Sequence, residues 1–326
     1  MYYMPEETRR LREDAREDGN FIGGIVLLVT ALLSLGFTVL SVVLVLTGKF
    51  TPEQMTQEDL GLGKTGYMVL YMCAYIVFMG VPPLLVCLLF RRSLPRIASP
   101  GVWVDAGTRM CAFFIGLGGC AAANLVASYV AAILDSFGIA PPENPTFLES
   151  TPQSLALNLV VMALLPALLE ELAFRKCILG TLQKYGNGMA VVVSALLFGV
   201  IHGGIAQSVF ACIVGLVLGF ITVKTGNIRT AIAVHFFNNA LSVLTEYLTL
   251  DMEQTAQGLA YTMVVGVTGL CGIVALIMSG VRRNALFAKV QPPLVLRGMG
   301  GIIWSAPLMV IAFILLALRV VYANVL

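Results

Sequence analysis

Long apolar runs alternate with short polar connections along most of the chain. Most of these runs are long enough to cross about 30 Å of hydrocarbon as helices. The pattern therefore predicts an all-α polytopic membrane bundle of eight or nine transmembrane helices. The predicted spans are 21–47, 67–90, 110–134, 154–185, 189–204, 205–223, 228–248, 260–281 and 299–322. The count is eight if the short hairpin formed by the fifth and sixth spans, which turns at Gly203 and Gly204, does not cross fully.

The spans and their connections divide the chain into four predicted segments. These are an N-terminal segment 1–20, three spans in 21–150, a central segment 151–250 with spans four to seven, and two final spans in 251–326. Short cytoplasmic loops carry an excess of Lys and Arg. Four arginines lie in 91–109 and no basic residue lies in 136–153, so the N-terminus is predicted to be cytoplasmic. We expect a multi-pass plasma-membrane protein, of bacterial type, whose first span is retained.

Composition supports this assignment and removes one class of partner. The chain is 58% hydrophobic with a mean hydropathy of +0.90, and its 12% charged residues are about half the share usual in soluble domains. The net charge of +2 comes without a basic run, so the expected partner is the lipid bilayer and not nucleic acid. The seven cysteines include no CxxC pair and are predicted to be free apolar side chains.

Polar residues at membrane depth occur in three short groups, all within spans four to seven. They are Glu170, Glu171 and Arg175; Phe198 and His202; and His235, Asn238 and Asn239. The chain has only two histidines, and both belong to this set. An ionisable group in the hydrocarbon costs about 2.5–3.5 kcal/mol on insertion scales, so such groups indicate a functional site.

Helical spacing predicts which of these side chains face one another. Glu171 and Arg175 are i,i+4 neighbours and are expected to form a pair that clamps helices together. Glu170 would then point elsewhere, about 100° round the helix. The same spacing places His235 with Asn239, and Phe198 with His202; Phe198 and Asn238 are expected to be packing and supporting groups.

Depth in the membrane decides whether the three groups can meet. If the fourth helix ended at Arg175, Glu170 would lie close to the cytoplasmic edge, while His202 would lie about 21 Å from that edge at 1.5 Å per residue. A helix that continues to Tyr185 brings Glu170 to nearly the same depth, and we predict this longer helix. His235 still lies several residues shallower, so a tilt or a break in a helix is expected.

The residue types suit hydrolysis by an activated water. A carboxylate beside an imidazole can deprotonate water, and a second imidazole with an amide can donate to the oxyanion that forms. No Ser, Cys or Thr lies three or four residues from either histidine, so a nucleophile triad is not indicated. Glu170, His202 and His235 could equally hold a catalytic zinc, although the HExxH spacing is absent. The residue types alone leave the metal and metal-free mechanisms open.

The three motifs together, EExxxR at Glu170, FxxxH at Phe198 and HxxxN at His235, resemble those of a known family of intramembrane endopeptidases. This is the CAAX protease and bacteriocin-processing family, also called the Abi family, which includes CAAX prenyl protease 2-like proteins. The resemblance covers about 155–245 and implies a membrane-associated peptide or protein substrate. It favours a glutamate-type enzyme with no metal ligand over the zinc enzyme that the family was long thought to be.

The resemblance also implies roles for individual residues. Glu170 with His202 would activate the water, and His235 with Asn239 would stabilise the oxyanion. Glu171, Arg175 and Phe198 match supporting positions.

Two other functions stay open at this point. A catalytically silent scaffold or bacteriocin-immunity factor would keep the fold and bind a peptide partner. A proton-coupled transporter would use Glu170, His202 and His235 as a relay, but such transporters usually contain repeated halves, and the chain has no evident repeat.

Overall fold

The computed structural model describes residues 6–49, 51, 60–98, 104–139, 148–281, 286 and 299–325. The described residues form helices and no strands, so the predicted all-α fold is confirmed. The helices are α1 Glu6–Leu46, α2 Gly63–Leu89, α3 Ala106–Ser136, α4 Pro152–Tyr185, α5 Asn187–Val200, α6 Ile205–Thr225, α7 Arg229–Thr249, α8 Gln254–Val281, α9 Met299–Trp304 and α10 Pro307–Val325. The protein is therefore a multi-pass helical membrane bundle.

Six of these helices are long and apolar enough to cross a membrane, among the described residues: α1, α2, α3, α4, α6 and α8. The other predicted spans correspond to shorter or more polar helices. The 14 residues of α5 cover about 21 Å, which is less than the hydrocarbon thickness. This length favours the lower of the two predicted span counts. The turn predicted at Gly203 is present, and Gly203 has a φ of +83°.

The first helix begins earlier than predicted. Residues 1–20 were expected to precede the first span, but α1 is continuous from Glu6 and buries Asp18 completely. The charges of this segment have helical spacing, as in the ion pair between Arg9 and Glu13 at 2.9 Å. Such i,i+4 pairs support a helix where the chain is polar, so the hydropathy pattern alone does not show where the helix begins.

Glycines allow two pairs of helices to pack closely. A Cβ atom on Gly23 of α1 would lie 2.3 Å from the backbone nitrogen of Met309 in α10, so the backbones of these helices are in contact there. A Cβ atom on Gly215 of α6 would lie 2.9 Å from Cα of Ala195 in α5. Small residues permit this approach between membrane helices. The helices α1 and α10, from opposite ends of the chain, therefore pack side by side.

The helix that carries the EExxxR motif is continuous to Tyr185, as predicted, but it is not a regular α-helix. Two π-helical segments interrupt it, Leu159–Leu164 and Glu171–Leu179. Pro166 contributes to the first irregularity because it has no N–H to donate to the carbonyl of Met162, four residues earlier. Wide turns of this kind are often found at functional sites.

Ionic contacts around the buried carboxylate of Asp18 join three helices at one end of the bundle. The carboxylate of Asp18 accepts a hydrogen bond from the Tyr185 hydroxyl at 2.6 Å and lies 2.7 Å from Nζ of Lys184. It also pairs with Arg92, just beyond α2. Partial burial acts to lower the pKa of Arg92, but its hydrogen bonds and charge contacts with Asp18 and Glu17 raise that pKa above the usual value. The predicted cytoplasmic location of this end stays a prediction.

Candidate active site

A cavity of about 350 Å³ lies between the helices, and all four of the residues predicted to be catalytic line it. Its polar lining residues are Tyr71, Tyr75, Glu170, His202, Gln207, His235, Asn238, Asn239 and Arg319. The described residues that line it include no Ser, Thr or Cys. The structure thus brings the predicted site residues of α4, α5, α7 and the connecting turn to one place. Their catalytic roles stay a prediction.

His235 lies between the two adjacent glutamates. Its Nδ1 atom is 3.0 Å from Oε1 of Glu171, and its Nε2 atom is 3.7 Å from Oε2 of Glu170. Helical spacing predicts that Glu170 points away from the Glu171 contacts, but both carboxylates approach the same imidazole. The π-helical segment that begins at Glu171 explains the difference, because the step between neighbouring side chains there departs from the 100° of an α-helix.

The predicted pair between Glu171 and Arg175 is present. The Nε atom of Arg175 lies 3.1 Å from Oε2 of Glu171, and both side chains are fully buried. The guanidinium also lies over the ring of Phe198, 4.4 Å from its centroid. None of its three side-chain nitrogens has a hydrogen-bond partner among the described residues, so the contact with Glu171 is one of charge. The buried charge of Arg175 is therefore balanced by a carboxylate and by an aromatic face.

The ring of Phe198 occupies the centre of this cluster. It makes edge-to-face contacts with Phe174, His202 and His235, with centroid separations of 5.1, 4.9 and 6.0 Å. Contacts of this geometry restrict the orientation of both imidazoles. This arrangement agrees with the packing role expected for Phe198.

His202 lies in the turn after α5, although the sequence analysis placed it on a helix. Its Nδ1 atom is 2.7 Å from the carbonyl oxygen of Phe198. A carbonyl can only accept a hydrogen bond, so this contact assigns the proton to Nδ1 and leaves Nε2 of the neutral ring as an acceptor. No direct hydrogen bond joins His202 to Glu170 in the part of the chain that the structure describes; the two side chains share the cavity.

The amide of Asn239 is partly engaged. Its Nδ2 atom lies 3.2 Å from the carbonyl oxygen of Met162, the carbonyl to which Pro166 cannot donate. Its Oδ1 atom accepts a hydrogen bond from Asn238 at 3.1 Å. A side-chain amide has two N–H groups, so Asn239 retains one donor that a ligand could use.

Three further side chains, from helices that the spacing of the motifs does not link to the site, contact a site residue or the residues beside His202. The hydroxyl of Tyr75 in α2 donates to Oε1 of Glu170 at 2.5 Å. Arg319 of α10 donates to the carbonyl of Ile201, and Asn324 of α10 donates to the carbonyl of Gly203. The sequence contains no spacing signal for such contacts, because the partners are far apart in the chain.

The arrangement of the His, Cys, Asp and Glu side chains bears on whether the site could hold a metal. The described residues contain no group of three or more His, Cys, Asp and Glu side chains that could hold a metal ion. The imidazole of His235 is instead within hydrogen-bond distance of Glu171. All seven cysteines lie in the described residues and are free, as predicted.

These observations define a multi-pass helical membrane protein with a polar cavity lined by the buried carboxylate of Glu170, two imidazoles and side-chain amides. Residues 152–241 match the model of the type II CAAX prenyl endopeptidase Rce1-like family. This match confirms the resemblance stated above for the segment that contains all seven predicted site residues, from Glu170 to Asn239.

The chain is also similar to a bacterial protein. The chain is 28% identical over 173 residues to the Bacillus subtilis (strain 168) protein named "Putative membrane peptidase YdiL". The aligned region is 49% of this chain and 66% of that protein, just under two thirds of its length. No solved structure matches the chain.

Proposed function

We propose that the protein is an intramembrane endopeptidase that hydrolyses a peptide bond in a membrane-associated protein or peptide. The observation that carries this proposal is the single cavity that Glu170, His202, His235 and Asn239 all line. The family match of residues 152–241 supports the same class of reaction. The plasma membrane and a cytoplasmic N-terminus stay the predicted location and orientation.

In this proposal, Glu170 is the general base and His202 orients the water. Oε1 of Glu170 is occupied by the Tyr75 hydroxyl, so Oε2 is the oxygen that takes a proton from water. Nε2 of His202 accepts the second hydrogen of that water, since its Nδ1 proton is directed to Phe198. The hydroxide that forms attacks the carbonyl carbon of the substrate, and the proton on Glu170 passes to the departing amine.

His235 and Asn239 would stabilise the oxyanion of the tetrahedral intermediate. Nδ1 of His235 faces Glu171, so Nε2 can donate a hydrogen bond only when the ring carries both protons. The free N–H of Asn239 would be the second donor.

The proposed reaction uses neither a covalent intermediate nor a metal. The described lining of the cavity includes no hydroxyl or thiol nucleophile of Ser, Thr or Cys, which supports attack by water. In the alternative mechanism, zinc is held by Glu170, His202 and His235. The activity that remains after metal removal distinguishes this mechanism from the metal-free one.

The test is cleavage of a quenched fluorescent peptide library by wild type and by Glu170→Gln in detergent. We expect Glu170→Gln to lower turnover by about 10²–10⁴-fold because it removes the base and keeps the shape. Glu246→Gln is the matched control, since Glu246 lies in α7 outside the cavity lining. If the wild-type protein is well folded but cleaves no peptide, the scaffold or immunity function is favoured. If Glu170→Gln cleaves as fast as wild type, Glu170 is not the general base.

A further inference from the structure

Tyr75 contacts the proposed base from outside the segment that matches the family. It lies 95 positions before Glu170 in the chain, at the end of the first α-helical part of α2. Its side chain is only 7% exposed, and its hydroxyl is 2.5 Å from Oε1 of Glu170. A buried hydroxyl of this kind needs a partner, and here the partner is the carboxylate that the reaction requires.

The backbone on both sides of this hydrogen bond is irregular. A π-helical turn, Ile76–Gly80, follows Tyr75 directly, and the π-helical segment Glu171–Leu179 follows Glu170 directly. Pro82 and Pro83 come after the first turn and cannot donate N–H groups back into it. A wide turn changes the direction of the side chains beside it, so both helices depart from regular geometry where their side chains meet.

A neighbouring ring limits the movement of Tyr75. The ring of Tyr71, one helical turn earlier, stacks on it with a centroid separation of 6.0 Å and an interplanar angle of 17°. The Tyr75 hydroxyl therefore approaches Glu170 from a fixed direction. Because Oε1 is held, the carboxyl group cannot exchange its two oxygens freely, and Oε2 stays beside His235.

We propose that Tyr75 is a positioning residue of the hydrolytic reaction: its hydroxyl holds Oε1 of Glu170 so that Oε2 faces the water. The hydrogen bond also stabilises the ionised carboxylate, because a donor to a charged acceptor favours the charged form. This inference rests on the proposed function and adds to it a residue that lies outside the matched segment.

The test is Tyr75→Phe, which keeps the ring and removes the hydroxyl. We expect kcat to fall about 10-fold or more, as for loss of a hydrogen bond to a charged group, with KM little changed. The acid limb of the pH–rate profile should move to higher pH, because the ionised carboxylate loses a donor. Tyr261→Phe is the control, since it also removes a tyrosine hydroxyl that donates a hydrogen bond, 2.7 Å long, in this case to the amide oxygen of Asn124.

The outcomes separate this inference from the proposed function. If Glu170→Gln abolishes cleavage and Tyr75→Phe keeps the wild-type kcat and pH profile, Tyr75 is not a positioning residue although the function stands. If wild type cleaves no peptide, the function itself fails. Each pH profile is normalised to its own maximum, so a smaller folded fraction of Tyr75→Phe would not imitate the expected shift.

Discussion

Arg175 is a charged residue that is fully buried. It faces Glu171 and the ring of Phe198, and none of its three side-chain nitrogens has a hydrogen-bond partner among the described residues. Loss of the guanidinium would leave Glu171 with only His235 as a partner for its charge. Removal of one member of a buried ion pair is costly because the other charge stays desolvated.

Arg175→Ala is therefore expected to lower the free energy of unfolding by about 3–5 kcal/mol. Chemical denaturation in detergent measures this value. Arg9→Ala is the control, because Arg9 forms an exposed i,i+4 pair with Glu13 and such pairs contribute little. Arg175→Ala with the stability of wild type would mean that this pair is not a structural clamp.

The sequence predicted the Glu171 and Arg175 pair but missed Tyr75, for a physical reason. The first contact lies within one helix, where spacing determines which side chains meet. The second joins α2 to α4, and its geometry depends on how two irregular helices pack. Pro166 was the available sign of irregularity in α4, since a proline within a helical pattern interrupts the regular hydrogen bonds.

At the scale of elements, α10 holds the turn that carries His202. Arg319 donates to the carbonyl of Ile201 at 2.7 Å, directly before His202. The amide of Asn324 donates to Gly203 at 2.9 Å and accepts from the backbone N–H of Ile205 at 3.1 Å. These three bonds satisfy polar groups at the end of α5 and the start of α6, which have no partner within those helices.

Asn324→Ala is expected to lower kcat more than it lowers stability, because the turn would lose two of these bonds and His202 would be oriented less well. Asn20→Ala is the control: Asn20 of α1 accepts a hydrogen bond from Leu308 of α10 at 3.0 Å, away from the turn. Steady-state kinetics and melting of both variants test this expectation. Equal kcat values for the two variants would show that Asn324 has no special influence on the site.

At the scale of the whole molecule, the hydropathy pattern predicted the helices well because the length of an apolar run is a local property. It could not predict the start of α1, where charged residues continue the helix. The pattern also could not predict the cavity, because the cavity forms only when helices from distant parts of the chain pack together. Residues 152–241 provide the proposed catalytic groups, while α1, α2 and α10 complete the cavity around them.

The most direct test of the account is the rate of peptide cleavage by purified wild type before and after metal removal with a chelator, with the metal content measured on the same sample. If Glu170 and His202 activate the water alone, the metal-free protein should keep its rate, and Glu170→Gln should stay inactive under both conditions. Stoichiometric zinc, with activity that is lost to the chelator and restored by zinc, would contradict the account and make Glu170, His202 and His235 metal ligands.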